Sequence, residues 1–152
     1  MPEAPGTNVH GTAIVIGTRG LIFLGASGSG KSTLAFACLA SARRCGLFSA
    51  LIADDQVMVS LRHGRIVARA PAAIAGLIEL RGSGIAAIET ISPALLHHAV
   101  LPVDLSTAER LPPQDETIEL APGMALPATR LALGVPDPLA VLAAFVPFNG
   151  KP

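Results

Sequence analysis

Leu21-Ile22-Phe23-Leu24-Gly25-Ala26-Ser27-Gly28-Ser29-Gly30-Lys31-Ser32-Thr33 decides how the rest of the chain is read. Gly25 to Ser32 fits G-x-x-x-x-G-K-[ST], the phosphate-binding P-loop pattern. The apolar run Leu21 to Leu24 reads as a buried strand, and Ser32 to Ala40 reads as the start of a helix. Strand, glycine loop and helix in that order are the context the motif requires. Glycines let backbone N–H groups converge on an anion without side-chain clash. The helix N-terminus adds unpaired N–H groups and the positive end of a dipole. Lys31 is then placed for the β- and γ-phosphates of a nucleotide and the Ser32 hydroxyl for Mg²⁺, with Gly25, Ala26, Ser27, Gly28, Ser29, Gly30 and Thr33 completing the cradle.

Composition sharpens this. The chain has nine arginines and two lysines, Lys31 and Lys151. In so Arg-rich a chain, the lysine at this slot has a specific role, because a planar guanidinium does not replace a compact ammonium among phosphates. A length of 152 residues points to a single domain, here residues 1–152, with a core of ordinary size. The formal net charge of +0 and the scarcity of aromatic residues argue against a nucleic-acid partner. No stretch is long and apolar enough for a membrane span, and Met1 to Gly6 has no signal-peptide pattern. Cys38 and Cys45 form no metal or redox motif and read as free thiols of a cytoplasmic protein. With 51% hydrophobic and 14% charged residues, part of the surface is apolar, which suggests a homo-oligomer.

Outward from the loop, residues 1–8 read as a loose lead-in. Val9 to Ile16 reads as a strand, and Gly17 to Gly20 as a hairpin turn into Leu21. Downstream, the helix spans 32–44 and stops at Arg43-Arg44-Cys45-Gly46, basic residues and a glycine at the negative end of the dipole. Leu47 to Ala53 reads as a strand that delivers Asp54-Asp55. Adjacent side chains on a strand point to opposite faces, so the two aspartates take different roles. A solvated turn is the plain alternative for this pair; the P-loop upstream favours Mg²⁺-nucleotide chemistry. Val57–Leu61 and Arg65–Ala68 read as a hairpin about Arg62-His63-Gly64. Glu79 and Arg81 share a face of an extended segment. From the residues alone, a surface ion pair and a metal-plus-phosphate constellation are equally open. Ala99–Leu105, Thr117–Leu120 and Leu126–Leu133 read as strands. Asp137-Pro138 opens a last helix over 138–146 as N-cap and first helical residue, leaving 147–152 as a tail.

Together these stretches resemble the bacterial HPr kinase/phosphorylase family in its short, α-proteobacterial form, which carries the catalytic domain alone. The resemblance rests on Val9-His10-Gly11, the loop Gly25 to Ser32, Leu51-Ile52-Ala53-Asp54-Asp55, Leu77-Ile78-Glu79-Leu80-Arg81-Gly82-Ser83-Gly84-Ile85 and Glu109-Arg110-Leu111. Order and spacing agree over residues 9–111.

The resemblance implies an α/β fold, a P-loop kinase core of the HPr kinase/PEP carboxykinase-like type, with a mixed sheet and flanking helices. It implies an ATP-dependent, Mg²⁺-requiring protein-serine kinase acting on an HPr-like phosphocarrier, assembled as a hexamer. Position by position, Lys31 is the phosphate-binding and catalytic lysine, and Ser32 and Glu79 are metal ligands. Asp55 is the base for the serine hydroxyl, with Asp54 beside it. His10 is an active-site residue, and Arg81 and Arg110 stabilise the transferred phosphate. Thr33 and Ser83 depart from the pattern of the longer family members. The tail lacks the family's P-V-x-x-G-R-N-L element: Gly134-Val135-Pro136 has no Arg-Asn, and Leu126 to Arg130 is at most a remnant. That departure implies weak or absent phosphorylase activity. Two other functions fit the motifs, a P-loop kinase of a small molecule and a non-catalytic nucleotide-sensing module. No Arg-rich lid favours the first, and a sensor has no need of Asp55.

Overall fold

The computed structural model describes residues 6–148. The elements are β1 (Thr7–Ile16), β2 (Arg19–Leu24), α1 (Lys31–Arg44), β3 (Ser49–Ala53), β4 (Gln56–Arg62) and β5 (Arg65–Arg69). They continue with β6 (Leu77–Leu80), β7 (Gly84–Ala87), β8 (Ala94–Leu96), β9 (His98–Val103), β10 (Thr117–Ala121), β11 (Met124–Ala132) and α2 (Pro138–Ala143). The large sheet runs β10-β11-β9-β2-β1-β4-β5-β8, with β3 also on β1, and β6 and β7 form a separate hairpin. It is mixed: β9 is parallel to both β2 and β11, and the other pairs are antiparallel. The chain is therefore an α/β protein with a mixed sheet and few helices, in agreement with the sequence reading.

Alternation along β1 explains the two halves of the core. Ile14 and Ile16 face α1 and α2 and join Leu21, Phe23, Leu34, Cys38, Leu51 and Leu142. Ala13 and Val15 face the other way and meet Ile22, Ile52, Val57, Val59, Ile66 and Leu96. A strand covered on both faces reads as the continuous run Ala13 to Ile16. Burial pushes the Cys38 thiol up to about 12, with Asp137 adding to the shift, so this cysteine is an inert core residue.

The far end of the sheet turns back on itself. His97 N–H donates to the Gly20 carbonyl at 2.8 Å, and Gly20 N–H donates to His97 Nδ1 at 2.9 Å. A side chain at Gly20 would collide with the Leu95 carbonyl oxygen, so only glycine allows this approach.

Several boundaries differ from the sequence reading. The lead-in ends sooner, because Thr7 and Asn8 already pair with Val59 and Met58 of β4. Leu47 is not in a strand: its N–H closes α1 on the Ala42 carbonyl at 2.9 Å, and β3 starts at Ser49. The last helix stops at Ala143, where tighter bonds from Ala144 to Val141 and Phe145 to Leu142 end it. Of the expected lead-in and tail, residues 1–5 and 149–152 lie outside the described residues.

Candidate active site

The site lies where β1 changes partners. Its first residues, Thr7 to His10, pair with β4, and Ala13 to Ile16 pair with β3. The turn from β3 to β4 is Asp54-Asp55, and Gly11 N–H donates to the Asp55 carbonyl at 3.1 Å. On the other edge of β1, Gly11 opposes Leu24, the last residue before the glycine-rich loop. His10 and Thr12 lie on the same face as Ile14 and Ile16, so one side of the strand runs from core into site.

Asp54 and Asp55 separate as expected, though the cause is a turn rather than strand alternation. Asp54 is only 6% exposed. Its Oδ1 accepts from Thr12 Oγ1 at 2.8 Å and from Ser32 Oγ at 2.6 Å, and its Oδ2 accepts from Glu79 N–H at 2.9 Å. A buried carboxylate needs such partners. Asp55 has φ 68, and Gln56 N–H reaches back to the Asp54 carbonyl at 2.8 Å. This is a three-residue γ-turn with a non-glycine residue at positive φ, a conformation that costs on the order of 1–3 kcal/mol and gathers at functional sites. It leaves the Asp55 carboxylate exposed, 3.5 Å from His10 Nε2.

The loop between β2 and α1 is open to an anion. Helix α1 has Gly30 as N-cap, no side-chain capping bond and no acidic residue in its first turn. Its first N–H groups are therefore uncapped by side chains. Lys31 is buried, and its ammonium lies 3.1 Å from His10 Nε2, with no carboxylate in ion-pair range among the described residues. A buried cation without an anion is costly, and an anionic ligand satisfies it. Among the described residues the buried Ser29 hydroxyl also has no hydrogen-bond partner. Across the loop lies Arg81, in the turn after β6: a Cβ on Gly28 would sit 3.2 Å from its Nη1. Gly28, at φ 83, thus admits both the loop's bend and the guanidinium.

One pocket is lined by Ser27, Gly28, Gly30, Lys31, Ser32, Thr33, Asp54, Asp55, Glu79 and Arg81. It gathers most of the residues singled out in the sequence, with His10 at its edge through Lys31 and Asp55. Gly25, Ala26 and Ser29 belong to the loop but do not line the pocket. Arg110 is exposed on the connection between β9 and β10, outside the lining. Arg130, in the suggested remnant of the tail element, is engaged elsewhere: its Nε and Nη2 donate to Glu116 at 2.9 and 3.0 Å. The sequence reading missed Thr12. Its signal was slight, a hydroxyl two residues after His10 and just before the apolar run Ala13 to Ile16. Ser32, Asp54 and Glu79 offer hard oxygen ligands. No group of three His, Cys, Asp or Glu residues forms a closed metal cage among the described residues. Mg²⁺ suits this set, since it is commonly held by one or two carboxylates together with substrate phosphates.

Fold and pocket define a mixed α/β protein with an anion-receptive glycine loop set beside a buried carboxylate. The family model of the HPr Serine kinase C-terminal domain matches residues 3–95, and the chain belongs to that family. An HPr kinase/phosphorylase of Bordetella petrii is 32% identical over 150 residues, covering 91% of this chain and 46% of that protein. One from Clostridium beijerinckii is 32% identical over 88 residues, covering 58% and 27%. This chain spans under half the length of these curated relatives. The solved structure of the Hpr(Ser) kinase/phosphatase from Coxiella burnetii shares the fold, with a TM-score of 0.73 at 19% identity, covering 93% of this chain and 94% of that one. Among the described residues, no helix is long and apolar enough to cross a membrane.

Proposed function

We propose that this chain is a P-loop kinase domain that transfers the γ-phosphoryl group of ATP to a serine of an HPr-like phosphocarrier in the cytoplasm. The observation that carries the reading is Lys31, a buried ammonium with no carboxylate in ion-pair range among the described residues, at the head of a helix that no side chain caps. Family membership and the names of the relatives supply the protein substrate.

In this reading Lys31 and the loop N–H groups hold the β- and γ-phosphates. Ser32 and Asp54 would hold Mg²⁺, with Glu79 as a further carboxylate, and the ion would supply charge neutralisation at the phosphates. Asp55 accepts the serine hydroxyl proton. The seryl oxygen then forms a bond to the γ-phosphorus as the bond to ADP breaks. Arg81, lying across the loop, neutralises the phosphoryl oxygens in transit. His10 orients Lys31 and Asp55. Arg110 lies beyond the family match, and in this reading it meets the phosphoserine side of the complex.

The protein assembles as a homo-oligomer, a hexamer by family resemblance; light scattering giving a monomer over a wide concentration range would contradict that part. The decisive test is incubation with Mg·ATP and candidate carriers, followed by acid. Phosphoserine survives acid and phosphohistidine does not. No acid-stable phosphate on any carrier, with ATP still bound, would turn the reading toward a sensor or a small-molecule kinase.

A further inference from the structure

We infer that Thr12 is a positioning residue for the metal-binding pair Ser32 and Asp54, an inference that rests on the nucleotide-site reading above. Thr12 is fully buried in β1, on the same face as the core residues Ile14 and Ile16. A buried hydroxyl without a partner is unfavourable, so its place has to be explained by what it bonds.

Proton accounting shows what the hydroxyl does. Thr12 Oγ1 is 2.8 Å from Asp54 Oδ1, and Ser32 Oγ is 2.6 Å from the same oxygen. The two hydroxyls are 3.2 Å apart. Each has one proton, and the shorter contacts assign both to Asp54 Oδ1. The Ser32 oxygen is then left with its lone pairs free, and Ser32 lines the pocket. The opposite carboxylate oxygen is fixed by Glu79 N–H at 2.9 Å. Thr12 therefore completes a three-point hold on Asp54. The hold fixes the plane of the carboxylate and commits the Ser32 proton away from an incoming cation. Outer partners of this kind set the affinity of the ligands they orient, and removing one typically weakens metal binding about 10- to 100-fold.

The test measures binding without turnover. A fluorescent ADP analogue would be titrated with Mn²⁺ in wild type, Thr12→Val, Thr12→Ala and Thr12→Ser, with a parallel titration of nucleotide in EDTA. Thr12→Val and Thr12→Ala should raise the Mn²⁺ concentration for half-maximal binding by about tenfold or more. Metal-free nucleotide affinity should stay within about twofold, and Thr12→Ser should restore wild-type metal dependence. Equal Mn²⁺ dependence in all four proteins would overturn the inference and leave the nucleotide site standing. Equal losses with and without metal would also overturn it, showing a role in folding the loop. Should both hydroxyl-free variants fail to fold, Thr12→Ser decides alone: a tenfold metal defect there shows that the hydroxyl does not set the metal affinity. A wild-type protein that binds no nucleotide with Mn²⁺ would overturn the site reading and this inference together.

Discussion

His10 Nε2 stands 3.1 Å from Lys31 Nζ and 3.5 Å from Asp55 Oδ1. An ammonium has no acceptor, so a hydrogen bond between His10 and Lys31 requires Nε2 to be the acceptor and the imidazole proton to sit on Nδ1. One ring nitrogen cannot accept from Lys31 and donate to Asp55 at once. The tautomer with its proton on Nδ1 therefore belongs to Lys31, and a ring with a proton on Nε2 to Asp55. A phosphate bound at Lys31, as proposed, would supply the ammonium with a stronger partner than the ring.

Removing the ammonium tests the loop directly. Lys31→Ala should weaken ATP binding and transfer together, because the anion loses its buried counter-charge. Calorimetry and a radiolabel transfer assay on the same preparation would show this. Transfer at the wild-type rate would end the phosphate-loop argument.

Asp55 can be tested without removing the metal site. Asp55→Asn keeps the shape and tolerates the left-handed backbone at φ 68, while removing the proton acceptor. Transfer should fall about 10²-fold or more, the usual worth of a positioned base, with ATP binding retained. Loss of ATP binding in this variant would assign Asp55 to the metal. Asp54→Asn, which disturbs a buried carboxylate with three donors, should lose metal-dependent binding first.

The seam between Gly20 and His97 predicts an acid-sensitive fold. Burial, then Arg19 and Arg65, hold the His97 pKa below its ordinary 6.5, and burial does the same for His98. A histidine kept neutral when folded binds more protons when unfolded. Stability is therefore full above the unfolded pKa of about 6.5 and declines as pH falls from there through the folded value. Protonation of Nδ1 would also remove the acceptor of Gly20 N–H. His97→Asn keeps an acceptor and does not titrate. Urea midpoints at about pH 7.5 and 5.5 should differ less in this variant than in wild type. An equal or larger difference would show that His97 is not the group responsible.

Local chemistry is what the sequence made legible. Leu21 to Leu24, the glycines and Lys31 carry their meaning within a dozen residues, and Asp54, Asp55, Glu79 and Arg81, which the family resemblance grouped, line one pocket. Non-local pairing was hidden. Nothing in Val9 to Ile16 says that the strand leaves β3 for β4 at its middle, yet that division creates the site. It also hides Thr12, whose meaning depends on a carboxylate 42 residues away. Strand β8 has three residues and β7 four, too few to show alternation.

The tail sequence departs from the pattern that the family resemblance implies, and that bears on the reverse reaction. Attack of inorganic phosphate on phosphoserine needs a site for a second anion beside the loop. Arg81, which lies across Gly28, and the N–H groups of Gly82, Ser83 and Gly84 would supply one side of it. The other side would come from the tail, where an Arg-Asn pair is expected and Val135-Pro136 stands instead. Proline offers no N–H, and valine offers no fork of donors. Arg130 does not fill the gap, because both of its bonded nitrogens are given to Glu116. Phosphorylase activity should therefore be weak or absent beside kinase activity. The measurement is pyrophosphate release from phosphoserine-carrier and millimolar phosphate without ATP. Release at a rate comparable to forward transfer would show that Arg81 and its glycine turn suffice for both anions, and that the tail element is dispensable in this chain.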